Sequence, residues 1–200
     1  MNINELRYTD ITYEEYTKIK MEYYKHLLSM PFGPRSCILK YFGDSFFHDA
    51  KLLNLQINPH KRTAKFELSS ENVLEDINFY REQHDLTRIH SKEFWRNPII
   101  FQVVFSNVQH FTSDISISDG LIVIDTEIAS YDSQIGYEIL FYFENKEKLK
   151  LFCKGANLTI DSGMVGYYTN GLKEIPYCSN CKSKFITTKK LTELLKDIEN

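Results

Sequence analysis

GYEILFYF (residues 136–143) decides the fold. Tyr137, Ile139, Phe141 and Phe143 recur at every second position. That period places them on one face of a β-strand, where an α-helix would repeat at 3.6. Asn145-Lys146 then turns the chain, and Leu149, Leu151 and Cys153 alternate on the next strand. Asn157–Ile160 continues that strand or pairs nearby. Upstream, Ser118-Asp119-Gly120 is a turn signal before a strand at LIVIDTEI (121–128). IIFQVVFSNV (99–108) is strand-like, with Pro98 at its first position. AKLLNLQI (50–57) and TAKFEL (63–68) flank the turn residues Asn58-Pro59. In the second segment Ala64, Phe66 and Leu68 alternate with Lys65 and Glu67, which predicts an antiparallel hairpin. Short strands joined by short turns predict an α+β protein whose antiparallel sheet forms a sandwich or a roll.

Helices bracket the strands. Thr12 and Glu15 have the spacing of a capping box for a helix over 13–29, and Ile11 with Tyr16 that of a hydrophobic staple. Tyr16, Ile19, Tyr23 and Leu27 form its apolar stripe, and Pro31 and Pro34 end it. Near the other end, Thr187 or Thr188 caps a helix with Leu191, Leu194, Leu195 and Ile198 on one face. It is expected to dock on the sheet, with an interaction helix as the alternative. Between the hairpin and residue 99, Ser70 can cap a short helix holding Val73, Ile77 and Tyr80, and residues 84–97 read as an insertion over the sheet. Residues 161–176 read as a loop. The predicted division is a β-rich unit with its N-terminal helix at 1–160, and a CxxC-bearing tail with a terminal helix at 161–200, packed on the same domain.

Composition bounds the function. The 200 residues carry 24 Lys plus Arg and 27 Asp plus Glu, a formal charge of -3. That balance gives no reason to expect nucleic-acid or membrane binding. No apolar run approaches the roughly 20 residues of a membrane span, and MNINELRYTD lacks the pattern of a signal peptide. The expected location is therefore the cytoplasm, with the four cysteines as free thiols or metal ligands. The 13 Tyr and 14 Phe fit a strand-rich core. Oligomeric state cannot be read from the sequence.

Three groups of residues could carry chemistry. His48 and Asp49 open the first strand. As neighbours on a strand they point to opposite faces, so His48 needs a second group from elsewhere to act as an acid or base. The reading preferred for the pair is structural, with Asp49 holding loop amides and His48 a backbone carbonyl. Cys178 and Cys181, in YCSNCKSKF, resemble one knuckle of a zinc ribbon. The second knuckle is missing. Cys37, Cys153, His110 or His48 would have to complete the site by tertiary approach, or a dimer would have to share it. Cys153 alternates with Leu149 and Leu151, so it is expected to be a buried thiol. Asp119, Asp125, Glu127 and Asp132 cluster around one strand. Asp125 and Glu127 share a face and are expected to be solvated there. DSGMVGYYTNGL (161–172) has no phosphate-binding glycine pattern, and GxSxG, HExxH and EF-hand motifs are absent. Lys182, Lys184, Lys189 and Lys190 are read as solubilising charges.

YFGDSFFHDAKLLNLQI (41–57) resembles a group of uncharacterised bacterial proteins common in Firmicutes. These have an N-terminal helix, a Phe-His-Asp-x-x-Ile/Leu motif opening a β-hairpin, and a later strand of the type seen here as FQVVFSNV (101–108). The resemblance spans residues 13–160 and leaves the CxxC tail outside. Similar His-Asp-opened β-domains occur among bacterial immunity-type proteins. The resemblance implies a β-domain and no particular catalytic residues. Three readings stand: a non-enzymatic cytoplasmic domain that binds another protein; a zinc-stabilised module whose tail meets nucleic acid or a partner; and an enzyme that uses His48.

Overall fold

The computed structural model describes residues 11–33, 36–44, 46–70, 99–115, 121–160 and 186–199. The expected short helix after Ser70, the insertion at 84–97, the Ser118-Asp119-Gly120 turn, the loop at 161–176 and the Cys178/Cys181 pair lie outside them. Helix α1 spans Tyr13–Ser29, and its capping box is formed. Glu15 N donates to Thr12 Oγ1 and Thr12 N donates to Glu15 Oε2. A second helix, α2 at Cys37–Phe42, was not expected from the sequence. Ser36 caps it through Leu39 N, and Ile38, Leu39, Tyr41 and Phe42 are all buried. The eight strands are β1 (Ala50–Asn58), β2 (Thr63–Ser70), β3 (Ile99–Ser106), β4 (His110–Ser113), β5 (Leu121–Asp132), β6 (Gly136–Phe143), β7 (Lys148–Cys153) and β8 (Gly155–Ile160). Helix α3, Thr188–Glu199, follows and packs against α1. Thr187 caps it by accepting from Lys190 N, and Leu191 and Leu195 are buried.

All strand pairs are antiparallel, in the order β4-β7-β6-β5-β1-β2-β3-β8. The two ends of that order are not independent edges. β3 pairs with β8 from Phe101↔Ile160 to Ser106↔Gly155, and β4 pairs with β7 from His110↔Phe152 to Ser113↔Leu149. Lys154 N donates to Ser106 O and Gln109 N to Phe152 O, which joins the two ladders. So β3–β4 is one bent strand and β7–β8 is another. At the bend residues 107–109 face residues 153–154, a one-residue bulge, and Asn107 takes φ 53°. Joined in this way, the eight segments act as six strands closing a barrel, with the short β1–β5 ladder (Ala50↔Val123 to Leu52↔Leu121) as the seam.

Ring distances test that closure. Phe66 on β2 and Phe141 on β6 lie three strands apart in the order, about 14 Å on a flat sheet at ~4.8 Å per strand. Their ring centroids are 5.0 Å apart, and Phe105 on β3 is 6.2 Å from Phe141. Only a sheet rolled on itself brings them together, so the roll is the form adopted. Helix α2 inserts Phe42 between the same rings, 5.3 Å from Phe105 and 5.7 Å from Phe141. Tyr137, Ile139, Phe141, Phe143, Leu149, Leu151 and Cys153 are buried as the alternation predicts. Burial pushes the Cys153 thiol up to about 12, so it stays protonated inside the barrel.

Turns fix the register. After β5, Asp132 Oδ1 accepts from Gln134 N and Ile135 N, and Gly136 follows at φ +99°. A Cβ on Gly136 would fall 2.2 Å from Cys153 O, so both conformation and space require glycine there. At the same end of the hairpin, Tyr137 stacks on Phe32 at 4.9 Å and donates its hydroxyl to Pro31 O, tying the segment after α1 to β6.

Candidate functional site

His48 and Asp49 do not lie on a strand. They end a turn over residues 46–49, and Asp49 takes φ 63°, a left-handed conformation that Asp tolerates better than most residues. That conformation swings the two side chains together: His48 Nδ1 is 2.9 Å from Asp49 Oδ2. The expectation that the neighbours could not pair is therefore corrected, because the opposite-face rule applies only to extended backbone. Phe47 anchors the turn in the core, Ala50 N donates to Phe47 O, and Asp49 N donates to Val123 O across the seam. Both polar side chains remain about half exposed. Asp49 can orient the imidazole, as a carboxylate does in many His sites. In open water such a pair contributes little to stability.

A second polar group is built differently. Asp125 and Glu127 on β5 are 3% and 2% exposed, so their expected solvation is overturned. Bulges between Val123 and Asp125 and between Ile128 and Ser130 re-aim the strand. Thr126 stands opposite Phe141 on the inner face, whereas Asp125 stands opposite Tyr142 and Glu127 opposite Leu140 on the outer face. Tyr142 donates its hydroxyl to Glu127 Oε2 at 3.0 Å, and Asp125 Oδ1 accepts from Thr126 N at 2.7 Å. Burial raises the Glu127 carboxyl to about 7, with Asp125 and Glu138 adding to the rise and the Tyr142 hydrogen bond opposing it. Glu127 is thus divided between its acid and its anion near neutrality, the condition of a general acid or base. Beside it, Glu138 accepts from Ser130 and pairs with Lys150 at 3.0 Å.

Helix α1 closes the free side of this part of β5. Beyond its seam with β1, β5 pairs only with β6 among the described residues. Ile128 N donates to Tyr23 Oη at 2.9 Å, and His26 Nε2 donates to Ala129 O at 2.9 Å. Burial holds the Tyr23 phenol well above its ordinary range, with Glu127 and Asp125 nearby reinforcing the shift. It stays a neutral hydroxyl. Two side chains thereby stand in for a missing strand.

The sequence singled out Asp125 and Glu127 but missed Tyr142, Tyr23 and Glu138. One signal was present: Leu121, Ile122, Val123 and Ile124 are apolar at both parities, the mark of a strand buried on both faces. Among the described residues no group of three or more His, Cys, Asp or Glu side chains is placed to hold a metal ion. No described helix is long and apolar enough to cross a membrane.

No protein-family model matches the chain. No curated protein matches it either. Among solved structures, an uncharacterized protein from Neisseria gonorrhoeae is similar over 56% of this chain and 91% of its own, at 12% identity and a TM-score of 0.30. A likeness at that score carries no argument about fold or function.

Proposed function

We propose that the chain is a protein-binding β-domain that works without chemistry of its own, in the manner of immunity-type proteins. The observation that carries this reading is the outer half of β1. Past Leu52 the strand pairs only with β2 among the described residues. Leu53 and Ile57 there are 43% and 42% exposed, among the most exposed large apolar side chains of the described residues. Exposed Lys51, Lys61 and Arg62 flank them. An extended partner segment with apolar and acidic residues suits such a surface, adding main-chain hydrogen bonds by strand addition. The resemblance of residues 41–57 to immunity-type domains points the same way.

The test begins with the chain cross-linked in its native cells and the captured protein identified and purified. Leu53→Asp with Ile57→Asp should weaken binding to that purified protein at least about tenfold, or about 1.4 kcal/mol. The melting temperature should hold, and Tyr131→Asp, at an exposed apolar side chain on β5, should bind as wild type. Unchanged affinity in the double variant would remove β1 as the binding surface. Catalysis by His48 is a second reading, supported by the 2.9 Å contact with Asp49. A substrate turned over by the wild type and not by His48→Asn would replace the first reading. The zinc reading concerns Cys178 and Cys181, and metal content decides it: less than about half an equivalent per chain under reducing conditions counts against a closed site.

A further inference from the structure

We draw no further inference here: the strongest candidate, the buried carboxyl pair of Asp125 and Glu127 beside Tyr142 on the outer face of β5, is an acidic cluster whose neighbour the Thr126 hydroxyl, buried with no partner among the described residues, stands on the opposite face of the strand, so nothing among those residues points to a ligand.

Discussion

On the inner face of the β5–β6 ladder, Val123, Thr126 and Ile128 stand opposite Phe143, Phe141 and Ile139. On the outer face, Asp125 and Glu127 stand opposite Tyr142 and Leu140. Exposure hardly separates the two sets, since Asp125, Glu127 and Tyr142 are within a few per cent of the core rings. Chemistry does. Inside, apolar rings gain from leaving water and need no partners. Outside, each carboxyl loses its hydration and must recover hydrogen bonds or give up its charge. Glu127 does some of both: it accepts from Tyr142 and its proton affinity rises. A strand can thus be dry on both sides for two unrelated reasons, and substitutions should tell them apart.

The inner face should yield the largest effect. Phe141 touches Phe42, Phe66 and Phe105, so Phe141→Ala should cost about 3–5 kcal/mol. Urea melts read this directly, and an unshifted midpoint would mean that the rings do not form one packed interior.

Glu127→Gln probes the outer face, and its sign is opposite. The folded carboxyl titrates near 7 rather than 4.5, so the folded state holds a proton that the unfolded chain has released. The stability associated with Glu127 is complete below about pH 4.5 and is lost as pH rises through 7. The Gln variant should match the wild type in acid, gain on it from pH 4.5 to 7, and hold a lead of up to about 3 kcal/mol above that. Parallel stability curves for the two proteins across pH would remove the buried-acid description.

At the hairpin that joins β5 to β6, Gly136→Ala should cost about 2 kcal/mol or more, from the left-handed backbone and the contact with Cys153 O. A melt within a degree of wild type would show that the turn relaxes. The smallest effect is expected at Thr126, whose hydroxyl is buried with no hydrogen-bond partner among the described residues. Thr126→Val keeps the shape and removes the polar group, and should stabilise the fold by about 1 kcal/mol. A loss instead would show that the hydroxyl has a bound water or another acceptor.

Local rules read the chain well where the backbone is regular. Strands β6 and β7 pair through an unbroken register, so the alternation of Phe141, Leu149 and their neighbours was sufficient to assign them. The capping box at Thr12 placed the start of α1 for the same reason. Reading failed where one residue departs from the local norm. Asp125 and Glu127 share the outer face of β5 as their spacing predicts, but that face is buried there, and two charged residue types gave no sign of it. Positive φ at Asp49 turned a supposed opposed pair into a contact. Helix α2 has six residues, too few for a helical period to show. Closure was legible only as one of two alternatives, a roll or a sandwich, because it depends on β3–β4 meeting β7–β8, a pairing that no nearby residue specifies.

That last pairing has a consequence for how the chain is made. A ribosome delivers β1, β2 and β3 well before β7 and β8, so Phe66 and Phe105 emerge without the strands that complete their enclosure. Until the second bent strand arrives, the growing polypeptide presents an open aromatic trough, the kind of surface that chaperones hold and that aggregates when crowded. Closing it spends the loop entropy of a long-range contact late, a topology that favours slow maturation after the early hairpin has formed.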